Sequence, residues 1–156
     1  MASDPTAVPV LSDFPPPPGA PPELLIELPT RPGVTQRFAY IAAPEARATI
    51  ILFPGGPGVI GLNRADDGGD GDRAVYGRDV NFLVRSRFAF AAAGLSVATM
   101  DAPSDRQGAE GMLGGFRNSA DHAADIDAAI AWLTAETGLP VWLVGTSRGT
   151  ESAAYA

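Results

Sequence analysis

The chain has 156 residues, 46% of them hydrophobic, with a formal net charge of -7 and a pI of about 4.5. That is one domain's worth of chain with enough apolar content for an ordinary core, and its acidity leaves no basic field to hold a nucleic-acid backbone or an anionic membrane surface. With no cysteine and a single histidine, His122, it lacks the ligands of a zinc or iron–sulfur site. No signal-peptide pattern or membrane-length apolar run is seen, so the expectation is a soluble, cytoplasmic chain.

Most of the fifteen prolines fall before residue 33, including Pro15 to Pro18, so residues 1–22 read as an extended polyproline-like arm, a surface tail rather than a folded unit. The folded domain is expected over residues 23–156. Within it, ELLIELPT and VTQRFAYIAAP are two β-prone runs around Arg31-Pro32-Gly33 and predict a hairpin. ATIILF is a continuous apolar run of the kind a strand buried on both faces shows. A Gly- and Asp-rich loop follows. NFLVRSRFAFAAAG then has helical spacing at Phe82, Arg85 and Phe88, closed by Gly94. LSVATMDAP is a second buried strand. A further helix is capped by Asn118 or Ser119, carries Ile126, Ala129, Ile130 and Leu133 on one stripe, and ends at Gly138-Leu139-Pro140. VWLV is the third buried strand, and SRGTESAAYA opens another helix. The order predicts an α/β fold: a mainly parallel sheet with an N-terminal antiparallel hairpin and flanking helices.

Two glycine-rich turns follow buried strands. PGGPGVIG formally spells GxGxxG, yet no helix opens after Gly61 as a dinucleotide site requires, and there is no Walker lysine. Such glycines can instead turn backbone N–H groups toward a developing oxyanion. The second turn, Gly145-Thr146-Ser147-Arg148-Gly149, is G-x-S-x-G between an apolar strand and a helix. In that setting the motif places a serine on a sharp, strained turn with small residues at its flanks and a helix N-terminus beneath it. Ser147 is therefore the candidate nucleophile, against the plainer reading of a helix cap.

At this point the chain resembles the α/β-hydrolase fold family over about residues 23–156: the hairpin, ATIILFPGGPG as oxyanion strand and loop, LSVATMDAPSD, the capped helix, and VWLVGTSRG as nucleophile elbow. The loop is most similar to the HGGPG variant of serine aminopeptidases and related esterases, with Pro54 at the histidine position. The resemblance implies Ser147 as nucleophile, the Arg148 and Gly56 backbone N–H groups as oxyanion donors, a small-molecule acyl substrate and no cofactor. Pro57 has no N–H to offer. The family's acid and histidine follow the nucleophile on later strands, so the chain reads as an N-terminal half, truncated after the elbow and close to inactive by itself. The alternative is a non-catalytic fragment or binding module that associates, with itself or a complementing chain, through the open edge beside VWLV.

Other residues carry weaker signals. Asp101 and Asp105, at a strand's C-terminal end, read as substrate-side or loop-capping groups. His122 reads as an exposed first-turn histidine, Glu151 as surface helix, and Arg148 as a side chain able to steer an acidic substrate group. DDGGDGD, residues 66–72, has a calcium-loop look but glycine at the EF-hand's third and twelfth positions, so it reads as a solvated loop.

Overall fold

A computed structural model of the chain describes residues 16–66, 72–77 and 81–156. Most of the proline-rich arm and of the acidic loop lies outside these described residues.

Strands β1 (Glu23–Arg31) and β2 (Val34–Ile41) pair antiparallel. Their turn is Pro32-Gly33: proline presets one dihedral and Gly33 takes φ 71°, a left-handed backbone that suits glycine. Strand β3 (Ala48–Phe53) is buried at all six positions, as its unbroken apolar run requires. Two short strands, β4 (Asn63–Arg64) and β5 (Ala74–Val75), pair with each other within the long loop. Helices α1 (Phe82–Arg85) and α2 (Arg87–Ala92) lead to β6 (Leu95–Met100). Two single-turn 3₁₀ segments at residues 104–106 and 116–118 precede helix α3 (Ala120–Thr137), which is followed by β7 (Val141–Gly145) and helix α4 (Gly149–Tyr155).

The sheet has five strands in the order β1-β2-β6-β3-β7. β3 runs parallel to both β6 and β7, while β2 joins β6 antiparallel, so the sheet is mixed. The register sets Phe53 opposite Gly145, so β3 and β7 end at the same level and deliver the glycine loop and the serine turn to one edge. Apolar side chains alternate between two cores. One packs Phe38, Ile51, Phe53 and Met100 against Ile126 and Leu133 of α3. The other packs Ile50, Leu52 and Val97 against Leu83, Phe88 and Ala91. Full burial of such side chains is worth about 1.5–3 kcal/mol each, and this two-sided burial is what holds the sheet edge in place.

The second predicted helix matches closely. Ser119 caps it by accepting from the His122 N–H at 3.2 Å, and Gly138 closes it at φ 65°. The segment predicted as one helix after Asn81 is instead two, divided at Ser86, whose hydroxyl donates to the Phe82 carbonyl at 2.9 Å. Its inward face differs too: Leu83, Val84, Arg87 and Phe88 are buried, whereas Phe82 is 63% exposed.

Arg31, at the end of β1, ties the hairpin to α3. Its guanidinium grips the buried Asp125 carboxylate through Nε and Nη2 at 3.0 and 2.9 Å and Asp105 through Nη1 and Nη2 at 3.1 and 3.0 Å, with Asp121 at 3.5 Å. These carboxylates raise the Arg31 pKa, and Arg31 in turn lowers that of Asp105.

Candidate active site

Ser147 stands in the turn between β7 and α4 with φ 50°, one of two non-glycine residues with positive φ among those described. A left-handed backbone at a serine costs free energy and persists only where the surroundings impose it. Here the imposition is steric. A Cβ on Gly145 would enter the backbone of Gly149, and a Cβ on Gly149 would enter the carbonyl of Phe53. With no side chain at either flank, β7, α4 and the end of β3 close together around the turn, and Thr146 donates its N–H to Phe53 O at 3.5 Å. Ser147 itself is exposed at the sheet edge.

The glycine loop crosses directly over this turn. A Cβ on Gly55 would lie 3.1 Å from both Ser147 Cβ and Thr146 O, so the close approach depends on glycine. Gly56 follows at φ 59°. Among the described residues no group accepts a hydrogen bond from the Gly56 N–H or the Arg148 N–H, while the carbonyls around them are engaged: Gly55 O accepts from Gly58 N at 3.2 Å and Thr146 O from Gly149 N at 2.8 Å. The sequence-predicted Ser147, Gly56 and Arg148 thus belong to two loops in contact at one sheet edge. The Arg148 side chain is turned aside to Glu151 at 3.1 Å.

The two acidic candidates do different things. Asp101 is buried, and its Oδ1 accepts from the N–H groups of Ile60 and Ala102, both at 2.8 Å, and of Gly61 at 3.4 Å, while Oδ2 accepts from Leu62 at 2.8 Å. This is the loop-capping alternative: the carboxylate organises the chain leaving the glycine loop. Asp105 sits apart in the Arg31 network.

His122 departs from expectation. It is fully buried, packed beside Phe53 and Phe116, and its Nε2 meets Ser152 Oγ of α4 at 2.9 Å. Burial, with the charge of Arg117 nearby, holds its pKa down at about 4, so it is neutral at ordinary pH. The sequence carried a signal for this, because His122 lies one helical turn before Ile126 on the buried stripe. Arg117 had no such signal. It is 1% exposed and reaches three partners: Ser152 Oγ from Nη1 at 2.7 Å, and Pro54 O and Gly56 O from Nη2 at 2.7 and 3.1 Å.

Comparison with solved structures finds this fold elsewhere. A cold-adapted esterase from an Arctic intertidal metagenomic library superposes with TM-score 0.53 at 20% identity, over 83% of this chain and 51% of that one. DcsB, solved in complex with its substrate analogue, gives TM-score 0.57 at 18% identity, over 85% of this chain and 40% of that one. The chain has the α/β-hydrolase-like fold. It spans about half the length of these α/β-hydrolase-like neighbours. No family model matches the sequence. No curated protein matches it either. No helix among the described residues is long and apolar enough to cross a membrane.

Proposed function

We propose that this chain is the nucleophile-bearing part of an α/β-type serine hydrolase that cleaves an ester, thioester or amide. Ser147 Oγ attacks the acyl carbon as its proton passes to the general base, the carbonyl electrons move onto oxygen, and the Arg148 and Gly56 N–H groups receive that oxyanion. The oxyanion collapses, the bond to the leaving group breaks and the leaving group takes that proton from the base; water then adds to the acyl carbon, the bond to Ser147 Oγ breaks, and Oγ recovers a proton as the acid is released. The observation that carries this reading is the strained φ of 50° at Ser147, imposed by its glycine flanks beneath a loop whose Gly56 N–H has no partner among the described residues. Esterase activity in a structural neighbour agrees with it.

The base is the incomplete part. His122, the one histidine, is buried, neutral and engaged with Ser152, so it does not serve Ser147. On this reading the histidine and its acid come from outside these 156 residues, and the chain by itself is slow by a factor on the order of 10⁴–10⁶. Free imidazole offers a direct test. Hydrolysis of a short p-nitrophenyl ester is expected to rise with imidazole in excess of the uncatalysed imidazole rate, and Ser147→Ala is expected to remove that excess. Equal rates in the two proteins would overturn the assignment, and turnover at ordinary enzyme rates without imidazole would overturn the missing base.

A second reading rests on Trp142, 65% exposed on the edge strand β7. It forms one apolar face with Ile50, Phe90, Leu95 and Val144. In this reading β7 associates through its open edge, with a second copy as the simplest partner. Sedimentation at rising concentration tests it: a monomer throughout would remove the idea, and association abolished by Trp142→Glu would support it.

A further inference from the structure

We propose that Arg117 is the positioning residue of the oxyanion site, bolting the glycine loop to the helix that supports the nucleophile. This rests on the serine-hydrolase reading above and goes beyond it, because Arg117 does not touch Ser147 and reaches the proposed donor Gly56 only through its carbonyl. The geometry is that of a three-point clamp. Nη2 holds the Pro54 and Gly56 carbonyls, so the peptide planes on either side of the Gly55–Gly56 peptide are both fixed by one nitrogen. The middle carbonyl, Gly55 O, is held by Gly58 N. With these three carbonyls committed, the Gly56 N–H has one direction left to it. Nη1 meanwhile holds Ser152 Oγ of α4, the helix whose first turn follows the Arg148 N–H. One guanidinium therefore fixes the distance between the two loops that carry the donors.

The glycine loop is shaped around this group. A Cβ at Gly58, whose φ is 74°, would lie 2.4 Å from Met112 Cε and 2.7 Å from Arg117 Nη2, so the glycine there makes room for the guanidinium together with the Met112 side chain. The charge is as informative as the hydrogen bonds. Among the described residues Arg117 forms no ion pair; burial lowers its pKa to about 10 while the nearby Glu151 carboxylate partly offsets that, so it remains a cation at neutral pH with no carboxylate in direct contact. Burying a cation without a carboxylate in contact carries a desolvation cost. Beside a loop that receives an oxyanion, the same charge favours the transition state through the carbonyl dipoles it aligns.

The test compares Arg117→Met, which keeps the length and removes the fork, Arg117→Lys, which keeps the charge, and Ser152→Ala, which removes one anchor. Two readouts are taken: amide hydrogen exchange at Gly58, Met112, Gly149 and Thr150, and the imidazole-assisted, Ser147-dependent kcat and KM. Arg117→Met is expected to speed exchange at these amides at least tenfold with the β3 and β6 amides unchanged, and to lower kcat about 10²-fold with KM within twofold. Arg117→Lys should recover part of kcat, and Ser152→Ala should loosen Gly149 and Thr150 more than Gly58. Unchanged exchange at the four amides in Arg117→Met overturns the clamp whatever the rates do. Should that variant fail to fold, the same exchange pattern in Arg117→Lys and Ser152→Ala decides the matter. A wild-type rate insensitive to Ser147→Ala overturns the hydrolase reading instead, and exchange still reads the clamp.

Discussion

Two arginines hold two junctions of this molecule in opposite ways. Arg31 joins the hairpin to α3 and is surrounded by Asp105, Asp121 and Asp125. Arg117 joins the glycine loop to α4 and meets only two carbonyls and a hydroxyl. At the first junction the cation is in direct contact with carboxylates, so the contact stabilises the fold. At the second the cation touches no carboxylate among the described residues, with Glu151 acting on it only at a distance, and it lies beside the place where the proposed chemistry develops a negative charge. Stability and function are therefore expected to separate between the two sites.

Arg31→Met should cost the most stability, about 3–5 kcal/mol, because it leaves the buried Asp125 carboxylate without its cation, held among the described residues only by the Thr30 hydroxyl. Arg117→Met strands no carboxylate and should cost about 1–2 kcal/mol, read as a smaller shift of the urea midpoint. The reverse order would break the comparison. Gly149→Ala sharpens it from the elbow side. The new Cβ has only the Phe53 carbonyl to enter, so a loss of about 2–3 kcal/mol is expected, together with loss of Ser147-dependent turnover.

A pH effect of about 3 kcal/mol comes next. The folded pKa of His122 is about 4, below the ordinary value of 6.5, so the unfolded chain takes up the proton first. The contribution is fully present above pH 6.5 and is lost as pH falls toward 4, where protonation would set a second charge beside Arg117. Chemical denaturation between pH 7 and 4 should show a steeper fall for the wild type than for His122→Gln; parallel curves would mean that His122 is not held neutral. The smallest effect belongs to the rim of the Arg31 network. Asp105→Asn should change stability by less than about 1 kcal/mol, since its side chain is 35% exposed and Arg31 keeps Asp125.

The fold was legible because its signals are periodic or punctuated. ATIILF and LSVATM declared buried strands by their apolar runs, and Ser119 and Gly138 declared the ends of α3; VWLV declared a strand but not its burial, because β7 is the edge strand, none of its residues is buried and Trp142 is exposed. The break at Ser86 was not legible, because a hydroxyl returning to the preceding turn leaves no mark in hydrophobic spacing. That Ser147 and Arg148 lie in a tight turn and Gly56 in the facing loop could be read from motif and context, since a turn this tight tolerates few residue types. Arg117 could not. It sits in a single 3₁₀ turn with no periodicity, and its partners are backbone carbonyls sixty residues away that have no residue identity to read. Asp101 lay between the two: its place at a strand end was visible, but whether it faced substrate or backbone depended on where the glycine loop folded back.

The central claim is that Ser147 is the nucleophile. Its most direct test is to expose the chain to a fluorophosphonate with free imidazole and to map the adduct by peptide mass spectrometry. The account expects one phosphonyl group, on Ser147, formed faster as imidazole is raised and absent from Ser147→Ala. Modification spread over surface hydroxyls at equal rates, or undiminished labelling of the Ser147→Ala protein, would contradict it.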